Sequence, residues 1–234
     1  MKLSKWCLFL CLLMLVFSSC EKSENNRATI SFQLISTNKT PIGRNYSIDN
    51  DKTKLLFSNF LLTDVSGNKT LLKDVFLYKK NNTDFEVKIP EGNYTTFQFS
   101  FGLDAITNNA NPINFPASHP LSVEEGLYWD MLKYRFAIIE AMVDNSPAKN
   151  QTPNTPISMH LGSDTLYTVI SSTTIPKNGM NLQIQFNLDS LFVLDAEPFQ
   201  ISNFSNHSES AEIARTITIK NSFINSRKIS LISN

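Results

Sequence analysis

The chain has 234 residues, of which 41% are hydrophobic and 18% charged, and its 21 basic residues are balanced by 21 acidic ones. This fits one globular domain, or at most two small ones, and the 17 Phe, 6 Tyr and 2 Trp argue against extensive disorder because they supply a large apolar area. Zero net charge argues against a nucleic-acid partner.

The three cysteines, Cys7, Cys11 and Cys20, all lie within the first twenty residues. The remainder of the chain, residues 21–234, therefore offers no disulfide, cysteine-ligated metal site or thiol nucleophile. We expect the domain to be stabilised by core packing and hydrogen bonding.

Residues 1–20 have the layout of a secretory signal, with two lysines ahead of an apolar run from Trp6 to Phe17. The run is about a dozen residues long, too short for the roughly 20 of a membrane-spanning helix. Two serines directly precede Cys20. This arrangement resembles a bacterial lipobox, in which the cysteine is lipidated. Phe17 departs from the aliphatic residue that is usual three positions before that cysteine. The sequence predicts a lipoprotein of the bacterial cell envelope, held at the outer membrane by its lipid alone, on the periplasmic face or at the cell surface. The alternative is an ordinary cleaved signal with incidental cysteines.

After a polar tether at residues 21–27, one domain at residues 28–234 is dominated by strand patterns, in which apolar and polar residues alternate. The alternating segments are Ala28–Leu34, Thr70–Tyr78, Phe85–Ile89, Phe97–Phe101, Tyr134–Ile138 and Leu182–Leu188. Helical patterns are limited to a turn near residues 189–194 and a segment from Ser208 to Asn221, part of which also permits a strand. Eight or nine strands without regularly interleaved helices predict an all-β fold, an antiparallel immunoglobulin-like β-sandwich with long loops and a short C-terminal helix.

Candidate chemistry is confined to few side chains, because the sequence has no phosphate loop, nucleophile elbow, zincin helix or EF-hand loop. Two long connections, residues 102–128 and 144–156, are expected to be functional or mobile. His119 lies toward the end of the first connection, His160 follows the second connection, and His207 precedes the C-terminal segment. A histidine considered alone is more often a structural hydrogen-bonding group than a metal ligand.

Three further side chains each have a structural and a functional interpretation. Trp129 is either a core or rim aromatic or part of a site, although indole nitrogen is a donor only and a poor ligand. Asp104 is expected either to orient an imidazole or to cap its loop. Glu140 shares the register of the Tyr134–Ile138 strand, which predicts an inward carboxylate that needs a partner, such as a salt bridge with Arg135.

Several segments, in their order and spacing, resemble the MbnP-like copper-binding protein family. They are FGLDAITNN (101–109), HPLSVEEGLYWDMLKYRFAIIEA (119–141), MHLG (159–162) and NHSESAEIARTITIKNSF (206–223), and the resemblance covers roughly Ala28 to Phe223. It implies a secreted or lipid-anchored β-sandwich that binds copper, in some members with a tryptophan oxidised to kynurenine beside histidine imidazoles. It also implies an outside oxidant, a dihaem peroxidase-like partner.

The resemblance places one copper ion on imidazoles of His160, His207 and, as a further candidate, His119, beside Trp129, which matches the family's tryptophan in a YW dipeptide. Imidazole nitrogen suits copper in either oxidation state. Kynurenine carries an aromatic amine where indole offers only an N–H donor. Many relatives have a second tryptophan where this chain has Met131, which we expect to be a core methionine or, alternatively, a thioether ligand.

These features predict a non-enzymatic envelope lipoprotein that captures, stores or hands over one copper ion. The chain lacks the methionine-rich or cysteine-rich tract that a store of many ions needs. Two other classes stay open: an adhesion or ligand-binding sandwich whose loop aromatics, such as Phe115 and Tyr128, contact a partner, and a redox enzyme built on the copper site. Histidines too far apart to share an ion would favour the adhesion module. No sequence feature specifies an oligomeric state.

Overall fold

The computed structural model describes residues 26–130 and 133–233. The signal segment with Cys20, the tether before Asn26, and Met131 lie outside these ranges, so the signal, lipidation and thioether hypotheses stay predictions. Within the described ranges, no helix is long and apolar enough to cross a membrane.

The described chain forms thirteen strands and two α-helices, joined by turns and short 3-10 segments. The strands are β1 (Arg27–Ile35), β2 (Tyr46–Ile48), β3 (Lys54–Asp64), β4 (Lys69–Tyr78), β5 (Asp84–Lys88), β6 (Tyr94–Phe101), β7 (Tyr128–Trp129), β8 (Lys133–Tyr134), β9 (Ala137–Val143), β10 (Thr155–Leu161), β11 (Thr168–Ser172), β12 (Met180–Asn187) and β13 (Lys228–Ser233). The helices are α1 (Ala105–Asn108) and α2 (Ile213–Asn225). The predicted C-terminal helix is confirmed, but it begins at Ile213 instead of Ser208 and ends at Asn225. The strand alternative within it is wrong.

The strands form two main sheets and one small hairpin. One sheet has the order β13-β12-β1-β5; the other has the order β10-β9-β3-β6-β11, with β2 paired to β9 and β4 to β3; β7 and β8 form the hairpin. The all-β sandwich prediction is confirmed. One pair departs from the antiparallel expectation, because β1 and β12 run parallel. Both strands start at the same end of the sheet, where the Gly179 N–H donates to the Arg27 carbonyl at 2.8 Å.

Phenylalanines from both sheets fill the space between them. The Phe32 ring on β1 stacks on Phe57 of β3, with centroids 4.4 Å apart, and Phe57 stacks on Phe186 of β12 at 5.7 Å. Phe186 in turn stacks on Phe223 of α2 at 4.8 Å, which fixes the helix against the sandwich. Each ring is almost fully buried, and aromatic side chains of this size dominate core energetics.

The predicted register around Tyr134–Ile138 is wrong beyond Phe136. Phe136 and Ala137 are both buried, so the alternation changes phase and the half-buried Ile138 and Glu140 share the outer face of β9. Tyr134 belongs to β8 and Ile138 to β9, and the chain bends at Phe136 between them. At Leu56, whose N–H donates to the Phe136 carbonyl, β9 takes over from β6 as the strand beside β3.

Candidate metal centre

The platform of the site is the antiparallel pair β9–β10. Their register sets Ser158 directly opposite Glu140 and His160 opposite Ile138. Residues two apart on a strand share a face, so Ser158 and His160 point outward while Met159 is buried in the core. The hydroxyl, the imidazole and the Glu140 carboxylate therefore meet on the outer face of the sheet.

Glu140 contacts both polar side chains of β10. Its Oε1 lies 2.6 Å from His160 Nε2, and its Oε2 accepts a hydrogen bond from the Ser158 hydroxyl at 2.5 Å. The His160 and Glu140 side chains are only 17% and 26% exposed. Burial lowers the pKa of His160 and outweighs the opposing effect of Glu140. Burial therefore favours the neutral imidazole, the form in which histidine binds metal ions.

His207 reaches this platform because the segment before α2 adds to the edge of β10. The Asn206 N–H donates to the Ser158 carbonyl at 2.9 Å, and the His160 N–H donates to the Asn206 carbonyl at 2.7 Å. The bridge between Asn206 and Met159 is parallel. This bridge sets His207 next to His160, although the two are 47 positions apart in the sequence.

Side-chain hydrogen bonds hold this edge segment in place. The Glu212 carboxylate accepts from the His207 N–H at 2.8 Å, and the Ser208 hydroxyl accepts from the Gly162 N–H at 3.1 Å. The buried Asn206 Oδ1 accepts from the Ser208 N–H and from the Thr216 hydroxyl of α2. The Asn206 Nδ2 is buried without a hydrogen-bond partner in the described part of the chain.

Three rings converge at this point. The His160 and His207 ring centroids are 5.1 Å apart at an interplanar angle of 86°, and the Trp129 ring is 6.3 Å from His207 at 76°. Metal–nitrogen bonds to imidazole are about 2.0 Å, so the two imidazoles are close enough to share one ion. Within the described residues, His160 Nδ1 and both ring nitrogens of His207 have no hydrogen-bond partner.

Trp129 is presented by the β7–β8 hairpin. Tyr128 pairs with Tyr134 across it, and their rings meet edge to face at 5.2 Å. The buried Tyr134 hydroxyl donates to the Leu121 carbonyl at 3.0 Å, which ties the hairpin to the preceding loop. Trp129 itself is half-buried beside the histidines.

Over residues 26–130 and 133–233, no three His, Cys, Asp or Glu side chains are arranged to hold a metal ion together. The carboxylate nearest to the imidazoles, Glu140, is occupied by His160 and Ser158. Among the described residues, the donors of the cluster are therefore two imidazoles, with Trp129 as the third neighbour.

A family model described as MbnP matches residues 25–214. The chain belongs to the MbnP family. The solved structure of MbnP from Methylosinus trichosporium is similar over 89% of this chain and 99% of that chain, with a TM-score of 0.57 and 13% sequence identity. At that identity the likeness shows the fold alone. No curated protein matches the chain.

The MbnP match spans all parts of the cluster, from the hairpin with Trp129 to the edge segment with His207. It ends in the first turn of α2, before β13. The predicted resemblance to this family is thereby confirmed.

His119 has different surroundings from the other two histidines. Its ring stacks on Phe115, with centroids 4.4 Å apart and planes 13° from parallel, and its Nδ1 accepts the Leu121 N–H at 3.1 Å. Burial lowers the pKa of His119, and the charges that act on it are Asp74 and Lys73 of β4. The structure thus brings together His160, His207 and Trp129, and it gives His119 other partners.

Asp104 caps its loop. Its carboxylate accepts from the Thr107 N–H at 3.0 Å at the start of α1, and hydrogen bonds of this kind hold the pKa of Asp104 below its usual value against the effect of burial. Of the two alternatives for Asp104, the cap is the one confirmed.

The prediction that Glu140 forms a salt bridge with Arg135 or a similar residue is wrong. Arg135 donates to the Gly126 and Leu127 carbonyls, and Glu140 is bound by His160 and Ser158. Sequence reasoning missed Ser158 and Asn206. The alternation in SMH was a signal for Ser158, since it puts Ser158 and His160 on one face; no local signal identifies Asn206.

Proposed function

We propose that this MbnP-family chain is a copper-binding lipoprotein of a bacterial cell envelope that captures, stores or hands over one copper ion. The supporting observation is the pair of imidazoles of His160 and His207, with ring centroids 5.1 Å apart. Each has a ring nitrogen without a hydrogen-bond partner among the described residues, Nδ1 in the case of His160. Imidazole binds both Cu(I) and Cu(II), whereas the site has no thiolate. His119 is left out of the proposed ligand set, because its Nδ1 is already used by Leu121.

Trp129 is the proposed third donor after oxidation. Indole nitrogen is only a hydrogen-bond donor, but opening the ring to kynurenine replaces it with an aromatic amine that has a free lone pair. The proposed oxidant is a dihaem peroxidase-like partner. The half-buried position of Trp129, next to His207, supports this role, since a new amine there lies beside the imidazoles.

The proposed site of lipidation is Cys20, which leaves the folded domain in water at a membrane surface. We propose that the chain is not an enzyme and that its cargo is the copper ion itself. The alternative adhesion function lacks the observation that would favour it, namely histidines too far apart to share an ion.

Copper titration of the mature chain tests the ligand set. We expect one equivalent to bind tightly, and the double variant His160→Ala/His207→Ala to lose this binding in competition with a chelator. The matched variant His119→Ala should bind one equivalent with unchanged affinity. Undiminished affinity of the double variant would refute the assignment.

Intact mass tests Trp129 separately. Conversion to kynurenine removes one carbon and adds one oxygen, an increase of about 4 Da. We expect the increase in chain purified from its native envelope, localised to the peptide containing Trp129, and none in Trp129→Phe. An unmodified Trp129 in copper-loaded native protein would contradict the proposed third donor.

A further inference from the structure

The Glu140 carboxylate lies against His160, although two imidazole ligands do not by themselves require a carboxylate beside them. It has one oxygen 2.6 Å from His160 Nε2 and the other bound by the Ser158 hydroxyl. An ionised carboxylate only accepts hydrogen bonds. A neutral imidazole that pairs with it through Nε2 must carry its proton on Nε2, and its lone pair is then on Nδ1.

We propose that Glu140 is a positioning residue, which holds His160 as the Nε2–H tautomer so that copper binds at Nδ1. This inference rests on the proposed function of His160 as a copper ligand. Within the described residues, Nδ1 of His160 has no other hydrogen-bond partner, so its lone pair is available.

The packing around Glu140 keeps this arrangement fixed. Ser158 lies directly across from Glu140 in the β9–β10 register and binds its second oxygen, which prevents the carboxylate from turning away. The backbones of Ser158 and His160 are both bound by Asn206. Carboxylate and imidazole therefore lie on a rigid part of the sheet, and both are largely buried.

A carboxylate behind a metal-binding histidine fixes the orientation of the ring and raises its basicity, and loss of such a partner typically costs about 10- to 100-fold in metal affinity. Glu140 occupies this place behind His160. Among the described residues His207 has no equivalent, because the Glu212 carboxylate is bound to its backbone N–H and not to its ring. The two proposed ligands thus differ, and the effect of Glu140 should be confined to His160.

The first test uses the copper-free mature chain. Long-range proton–nitrogen NMR of histidine-labelled protein should show His160, assigned by its loss in His160→Gln, with the proton on Nε2, shifted to low field and slow to exchange with solvent. Glu140→Ala should lose that low-field proton, and the variant of an exposed carboxylate, Glu209→Ala, should keep it. A proton on Nδ1 of His160 in the unaltered chain, or the same low-field signal in Glu140→Ala, would overturn the inference.

The second test measures copper. We expect Glu140→Ala to weaken Cu(I) affinity by about 10- to 100-fold. The loss should be smaller in the isosteric Glu140→Gln, which keeps the packing of the side chain and so separates the effect of the carboxylate from an effect on the fold. Glu209→Ala, an exposed carboxylate of the same region, is the matched control and should bind as the unaltered chain does. Equal affinity of Glu140→Ala and the control would overturn the inference.

The two proposals fail in different ways. If the unaltered chain bound no copper, the proposed function would fail, whereas the tautomer of His160 would still be decided by the copper-free spectra. If copper bound and the Cu(I)-loaded chain showed the metal-dependent shift at Nε2 of His160 instead of Nδ1, only the role of Glu140 would be wrong.

Discussion

His119 and His160 have much in common and yet differ in what they can bind. Both are half-buried, and burial lowers the pKa of both. His119 has its ring face covered by Phe115 and its Nδ1 bound by Leu121. His160 faces His207, and its Nδ1 has no hydrogen-bond partner in the part of the chain that the structure describes. Burial and the direction of the pKa shift therefore do not distinguish the proposed ligand His160 from the structural histidine His119. The two differ in whether the ring keeps a nitrogen lone pair and in whether a second imidazole lies next to it.

The two regions also differ in how the chain builds them. The partners of His119 lie within four positions in the sequence, in the loop 102–128. The site around His160 depends on Asn206, which arrives from far along the chain and adds to the edge of β10. We expect copper binding to be sensitive to the packing of the edge segment and insensitive to changes near His119.

The largest expected effect comes from Asn206→Ala. It removes the buried acceptor of the Ser208 N–H and the Thr216 hydroxyl, and we expect a loss of about 1–3 kcal/mol in unfolding free energy. Copper affinity should fall as well, because the side-chain contacts that hold the edge segment with His207 are weakened. The matched variant Asn111→Ala removes a cap in the His119 loop and should cost about 1 kcal/mol without affecting copper. Equal copper affinity in the two variants would contradict the proposed role of the edge segment.

A smaller effect is expected from His119→Ala. Loss of the stacking on Phe115 and of the hydrogen bond from Leu121 should lower the unfolding free energy by about 1 kcal/mol. His207→Ala should cost less, since the described structure gives the His207 ring no hydrogen bond. Urea unfolding of the two copper-free variants measures the two losses in unfolding free energy. The reverse order would show that His119 is not the structural histidine of the pair.

The smallest effect concerns pH. The folded pKa values of His119 and His160 are lowered, so below about pH 6.5 the unfolded chain binds more protons at these sites than the folded chain does. Their contribution to stability is present above that pH and is lost as the pH falls through the folded pKa values. We expect a shallower decrease in unfolding free energy between pH 7.5 and 5 for His119→Ala and for His160→Ala, measured without copper. A slope identical to that of the unaltered chain would contradict the effect of burial.

Much of the fold could be predicted from local patterns. The alternation in β1 and β12 reflects one core face and one outer face, which a sequence shows directly. The central strand β3 was not predicted, since four successive residues near its start, 55–58, are all buried. It pairs with β4, β6 and β9, with a register shift after Phe60. A strand whose residues are buried on both faces lacks a clear alternation of apolar and polar residues.

The site could be predicted in part. The resemblance identified His160, His207 and Trp129, and the structure brings these three together. It did not separate His119 from them, because local sequence does not reveal which lone pair a loop will use. The partner of Glu140 was also missed. The chain bends at Phe136 between β8 and β9, which changes the phase of the alternation and sets Glu140 on the outer face.

The most direct test of the proposed copper site is diffraction from the copper-loaded mature chain on both sides of the copper absorption edge. We expect a single anomalous peak between the rings of His160 and His207, next to Trp129 or its oxidised product, and none near His119. A peak at His119, or a copper ion bound away from both His160 and His207, would contradict the account.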